Sequence, residues 1–197
     1  MARSWQDDLA ASMSAEGALR GLPVHAKRRA RFVRAVVEAA TARGPDAGAI
    51  TAVRCIAPTP TGGGDCGDWI HVARDGDRAL AWSCPGCGEH GFVSGYARGP
   101  YDLRAHPAEP SPLRWAPSDD ELALLDDATD LRPDLRAVLA RAVPTELGVV
   151  VPASRAELDR VYAFVASLVD ASLSANRMEL LDSLRAGLSA ALEPRSA

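Results

Sequence analysis

The chain has 197 residues, 47% of them hydrophobic and 24% charged, with a formal net charge of -4. This composition belongs to soluble globular proteins and excludes collagen, coiled-coil rods and disulfide-rich secreted scaffolds. No apolar run approaches the roughly 18 residues of a membrane span, and Met1-Ala2-Arg3-Ser4-Trp5-Gln6-Asp7-Asp8 lacks the apolar stretch of a secretory signal. A cytoplasmic protein is the expectation. Basic residues comprise 21 Arg and a single Lys, Lys27, an excess that GC-rich codon usage explains without any phosphate-binding role.

Charge and composition divide the chain. Residues 1–54 carry 9 basic and 5 acidic residues, residues 55–110 carry 4 and 7, and residues 111–197 carry 9 and 14. Gly and Pro crowd the middle, while Leu, Ala and Val at helical spacing dominate both ends. Three regions are expected: an N-terminal helical segment (1–50), a Cys/Gly/Trp-rich middle (51–107) and a C-terminal helical bundle (113–197), joined by the linker Ala108-Glu109-Pro110-Ser111-Pro112.

In the first region Trp5, Leu9 and Met13 fall at i, i+4 and i+8, the pattern of a weak helix broken by Gly17 and Gly21-Leu22-Pro23. A stronger helix runs from about His25 to Ala42. Its apolar face is Phe32, Val33, Val36, Val37 and Ala40, and Lys27, Arg31 and Arg34 lie opposite. Gly44-Pro45 ends it. The basic stripe Lys27, Arg28, Arg31 and Arg34 is a candidate phosphate contact, weighed against an ordinary solvated helix face.

The middle carries the chemistry. Cys55, Cys66, Cys84 and Cys87 are spaced C-x10-C-x17-C-x2-C. Cys84-Pro85-Gly86-Cys87-Gly88 reads as a zinc knuckle: two thiolates across a tight turn, then a glycine whose positive φ lets backbone amides face the sulfurs. The first pair is looser, with Thr59-Pro60-Thr61-Gly62-Gly63-Gly64 forming a floppy loop that must fold back. Trp69-Ile70-His71-Val72, Ala79-Leu80-Ala81-Trp82 and Phe92-Val93-Ser94-Gly95-Tyr96 read as three antiparallel strands, the first two joined by a turn at Asp75-Gly76-Asp77. A unit of about 45 residues buries too little apolar surface to fold alone, so metal binding and folding are expected to be coupled.

Other cysteine chemistries fit less well. A thioredoxin-type pair opens a helix, and Gly88-Glu89-His90-Gly91 is no helix start. A nucleobase deaminase needs P-C-x-x-C and an upstream H-x-E, but Ser83 precedes Cys84 and His71-Val72-Ala73 lacks the glutamate. His90 is an alternative fourth ligand, with Glu89 as a base beside an open zinc. His71 reads as a surface residue of an alternating strand, and His25 and His106 have no partner in view. No P-loop, G-x-G-x-x-G or Ser/His/Asp order is present.

The C-terminal region has helix-start grammar at Ser118-Asp119-Asp120-Glu121 and Ser154-Arg155-Ala156-Glu157, both capping boxes. Helices are expected over 119–127 and 155–172, and Pro133 opens another that ends near Val143. Leu158, Val161, Tyr162, Val165, Leu168 and Val169 form one apolar face; Leu181, Leu184, Leu188 and Leu192 form a second on a last helix. Gly148-Val149-Val150-Val151 reads as a strand or extended connector.

The segment Trp82-Ser83-Cys84-Pro85-Gly86-Cys87-Gly88-Glu89-His90-Gly91-Phe92-Val93-Ser94-Gly95-Tyr96, continuing through Pro100-Tyr101-Asp102-Leu103, resembles uncharacterised bacterial zinc-ribbon proteins over roughly residues 54–104. The resemblance implies zinc ligation by Cys84 and Cys87 and, by position, Cys55 and Cys66. It implies no activity. The resulting expectation is an α+β chain, mainly α-helical, with a small three-stranded antiparallel zinc ribbon in the middle. Its function is that of a non-enzymatic zinc-binding protein presenting a surface to a protein partner. The alternatives are a nucleic-acid-binding or regulatory protein using helix 25–43, and a metalloenzyme using Glu89 and His90.

Overall fold

A computed structural model describes residues 4–9, 23–43, 48–59, 63–75, 79–108, 113–128, 131–171 and 174–193. Met13, Gly17, Gly21-Leu22, Gly44-Pro45, Thr61-Gly62, Gly76-Asp77 and residues 109–112, all singled out above, lie outside that set. The chain divides into two compact units, residues 1–107 and 108–197.

The first unit is a five-stranded sheet covered by one helix. In chain order it holds β1 (Ser4–Asp8), α1 (Val24–Thr41), β2 (Ala49–Arg54), β3 (Trp69–Asp75), β4 (Ala79–Ser83), β5 (His90–Ser94) and a 3-10 turn at Leu103–Ala105. The sheet order is β1-β5-β4-β3-β2. Strands β2 to β5 are antiparallel to their neighbours, and β1 runs parallel to β5 with Trp5 opposite Gly91.

Helix α1 follows from its apolar stripe. Phe32, Val33, Val36, Val37 and Ala40 are all buried and form one core with Ile70, Val72, Leu80, Trp82 and Val93 from the inner face of the sheet. Full burial of each such aliphatic side chain contributes roughly 1.5–3 kcal/mol. Its last turn is tied to the end of the unit: the Thr41 hydroxyl donates to the Val37 carbonyl at 2.7 Å and accepts from the Leu103 amide at 3.0 Å.

The second unit holds β6 (Leu113–Trp115), α2 (Asp119–Asp126), α3 (Pro133–Ala140), β7 (Val143–Thr145), β8 (Gly148–Ala153), α4 (Arg155–Ala171) and α5 (Ala175–Leu192). Its three strands pair in the order β6-β8-β7, with Val149, Val151 and Ala153 of the central strand buried. Both capping boxes form. Glu121 and Ser118 exchange bonds of 2.7 and 3.2 Å, and Glu157 and Ser154 exchange bonds of 2.8 and 3.0 Å. Glu157 also accepts from buried Arg141 at 2.6 Å, so one carboxylate caps α4 and ties it to the end of α3.

The expected fold class is overturned. Eight strands in two sheets stand beside five α-helices among the described residues, so the chain is not mainly helical with a small three-stranded ribbon. The weak helix predicted at Trp5 is strand β1: Trp5 and Asp7 turn inward while Ser4, Gln6 and Asp8 are exposed. Pairing with β5 decides the conformation of so short and polar a segment, because local propensity is a weak prior. Strand β2 has no clean alternation to announce it, and β6 and β7 are only three residues each. Helix α3 stops at Ala140, before Val143, because β7 begins there.

Two packing predictions follow from these contacts. A Cβ on Gly91 would lie 2.7 Å from the Trp5 carbonyl oxygen and 2.8 Å from Trp82 Nε1. Gly91→Ala is therefore expected to cost the first unit about 2 kcal/mol, lowering its urea midpoint as followed by tryptophan fluorescence. Glu157→Gln removes the carboxylate charge bonded to buried Arg141 and is expected to cost about 3 kcal/mol. Glu121→Gln, which keeps a residue able to complete the capping box, is expected to cost under about 1 kcal/mol. Equal losses for the two glutamates in denaturant titrations would contradict this.

Candidate metal centre

The strand order places all four cysteines at one end of the first sheet. Cys55 follows β2 and Cys66 precedes β3; Cys84 follows β4 and Cys87 precedes β5. Because β2, β3, β4 and β5 are consecutive antiparallel neighbours, the β2–β3 and β4–β5 connections emerge side by side at the same edge. The four sulfur atoms all lie within 4.8 Å of one another, an arrangement able to hold a metal ion. Cys55 and Cys87 Sγ are 3.7 Å apart, and Cys66 and Cys84 Sγ are 3.6 Å apart. A disulfide would bring sulfurs to about 2.05 Å. A tetrahedron with metal–sulfur bonds of about 2.3 Å sets neighbouring sulfurs about 3.8 Å apart.

The two connections share one backbone pattern. In the second, the Cys84 amide donates to the Glu89 carbonyl at 2.8 Å and the Gly88 amide to the Cys84 carbonyl at 2.9 Å. In the first, the Cys55 amide donates to the Asp68 carbonyl at 2.8 Å and the Gly67 amide to the Cys55 carbonyl at 3.0 Å. Cys55, Cys66, Gly67 and Asp68 thus correspond to Cys84, Cys87, Gly88 and Glu89. Gly67 and Gly88 have φ of 71° and 75°, a region where a side chain is strained. The first connection is a second knuckle with a longer insert.

Residues 60–62 of the expected loop lie outside the described set, and the residues flanking them are paired. The Cys66 amide donates to the Ala57 carbonyl at 2.7 Å, Thr59 to Gly64 at 2.8 Å, and Pro58 bridges Asp65. The described residues on either side, 56–59 and 63–65, therefore continue the β2–β3 ladder, with Ala57 buried and Asp65 ion-paired to Arg28 of α1. Gly86 packs so closely on Asp68 that a Cβ there would meet its carboxylate at 2.5 Å, which locks the two knuckles against each other. Arg54 covers the outside: its guanidinium lies 3.3 Å over the Trp69 ring and donates to the Gly67 carbonyl at 3.0 Å.

Electrostatics at the cluster are unequal. Burial pushes the Cys55 thiol far up, against a hydrogen bond from the Ala57 backbone. Burial likewise raises Cys84 to about 11, opposed by the Cys87 backbone. Cys66 is held below its ordinary value, first by a hydrogen bond from the Asp68 backbone. Amides aimed at sulfur favour the thiolate, while desolvation at Cys55 and Cys84 leaves a demand for positive charge that a bound cation meets.

Of the other residues singled out, Glu89 and His90 take no part in the four-sulfur group. The Glu89 carboxylate is buried and accepts from Trp5 Nε1 at 2.6 Å. His90 is exposed, with Nδ1 3.2 Å from the Gly88 carbonyl oxygen. Of the basic stripe, Arg28 pairs with Asp65, half-buried Arg34 faces Glu38 at 3.8 Å and the Tyr101 ring at 5.9 Å, and Lys27 and Arg31 lie at the surface. Sequence reasoning missed Trp5, which ties β1 to the second knuckle, and the match between Cys66-Gly67 and Cys87-Gly88. A glycine directly after the second cysteine of each pair was the signal available.

No protein-family model, curated protein or solved structure matches the chain.

If the two knuckles are equivalent, the insert is dispensable for the centre. Replacing residues 56–65 by Pro-Gly, which recreates the second knuckle, is expected to keep metal stoichiometry while lowering thermal stability. Cys66→Ser is expected to weaken metal binding by at least the roughly 10–100-fold seen on losing a supporting partner of a ligand. A folded Pro-Gly variant (by circular dichroism) that binds no metal would refute the equivalence.

Proposed function

We propose that residues 1–107 hold one zinc ion in a structural four-cysteine site of zinc-ribbon type, with Cys55, Cys66, Cys84 and Cys87 as ligands. In this reading the chain is a non-enzymatic protein that offers the rigid unit to a protein partner. The observation that carries it is the pair of equivalent knuckles converging four sulfurs on one point. Soft thiolate ligands in tetrahedral array suit zinc, and four protein ligands leave no open position for a catalytic water. Four free thiols at metal-ligand spacing also fit a reducing compartment such as the cytoplasm. The resemblance of residues 54–104 to bacterial zinc-ribbon proteins belongs to the same proposal.

A protein partner is favoured over nucleic acid because Arg28 and Arg34 of the candidate stripe already face acidic residues. The outward positions described on β3, β4 and β5 contain no Lys or Arg to meet phosphates. No helix is long and apolar enough to cross a membrane among the described residues.

Elemental analysis of the purified chain is expected to give one zinc per molecule. X-ray absorption is expected to give four sulfurs at about 2.3 Å and no nitrogen or oxygen neighbour. Iron in place of zinc, or a light-atom ligand, would overturn the proposal.

A further inference from the structure

The face of the first sheet turned away from α1 carries a second, different constellation. Strand register sets His71 opposite Ser83 and Ser83 opposite His90, so the three lie in one row across β3, β4 and β5. All three are exposed. They line a hollow of about 260 Å³ together with Ala73, Ala81 and Phe92. Small residues on the central strand form its floor, and the two imidazoles stand on the strands either side.

We propose that His71 and His90 bind one divalent transition-metal ion across Ser83, at a site separate from the four cysteines. Two strand spacings put the histidine backbones about 10 Å apart, a gap that two imidazoles leaning inward close onto an ion about 2.0–2.1 Å from each ring nitrogen. Ser83 is the only residue between them in the row, and its short side chain leaves that space open. His90 is already oriented as ligating histidines usually are. Its Nδ1 lies 3.2 Å from the Gly88 carbonyl oxygen, and a proton held there leaves Nε2 with its lone pair directed away from the backbone. Imidazole suits zinc, nickel and copper, and water completes the coordination shell. The outward positions described on these strands hold no Lys or Arg to repel a cation.

The site is independent of what occupies the cysteines, so its test uses untagged, full-length protein with the thiolate centre filled. Isothermal titration with Ni²⁺ is expected to show one further ion per chain. His71→Ala and His90→Ala are each expected to weaken it at least tenfold, with little further loss in the double variant, because one ion needs both rings. Ser83→Ala is expected to change affinity less than threefold. Circular dichroism confirms that these surface variants remain folded. Absence of a further Ni²⁺ ion in the parent protein would overturn the proposal. So would binding that survives both histidine changes, which would place it at His25 or His106, or single variants that each remove half of the bound nickel.

Discussion

Two loops leave the same end of an antiparallel sheet, and the centre of the first unit depends on that placement. Strands β2 to β5 are neighbours in chain order, so every connection between an even strand and the next odd one lands on one edge. Cysteines placed just after β2 and β4 and just before β3 and β5 must then converge, whatever the length of chain between them. Backbone hydrogen bonds across each loop set the fine geometry, and Gly67, at positive φ, turns the backbone so that the Asp68 amide faces the Cys66 sulfur. The 3.6 and 3.7 Å sulfur separations result from this ladder closing at its end.

Convergence creates an electrostatic problem as well as a binding site. Thiolates gathered in one corner raise the cost of one another, and burial removes the water that would screen them. Cys55 and Cys84, the two buried members, show this in thiols pushed up by desolvation. Cys66, less buried and bonded by the Asp68 amide, goes the other way. The centre is therefore asymmetric between the two strand-end cysteines and at least one strand-start partner, although its backbone is nearly twofold.

How much of this was legible in the sequence depends on which forces set each part. The four cysteines, the C-x2-C turn, helix α1 and both capping boxes rest on local spacing, and local spacing can be read directly. The convergence of Cys55 with the others rests on pairing between distant strands, which no short window contains. Strand β1 shows the difference clearly. Trp5 and Leu9 are spaced as on a helix, yet Trp5 is held by the backbone of β5, the rings of Phe32 and Trp82 at 6.3 and 5.7 Å, and the Glu89 carboxylate. The described residues flanking the Gly-rich stretch between Cys55 and Cys66 are similar: composition suggests looseness there, while Cys66 to Ala57 and Thr59 to Gly64 bonds extend the ladder.

The expectation that the middle segment lacks a core and relies on metal to fold needs revising on the same grounds. Those roughly 45 residues are only part of the first unit. Strands β3, β4 and β5 in fact bury Ile70, Val72, Leu80, Trp82 and Val93 beneath Phe32, Val33, Val36 and Val37 of α1. With α1 packed on the sheet, the apolar core is larger than those residues supply alone. What an ion would add lies at the end of the ladder, where two knuckles meet through Gly86 and Asp68 and where Glu89 anchors Trp5. Losing it would release that corner, and with it the anchor of β1, before it released the helix-covered centre. An ion held there would fix an edge of the sheet whose centre is already packed beneath the helix.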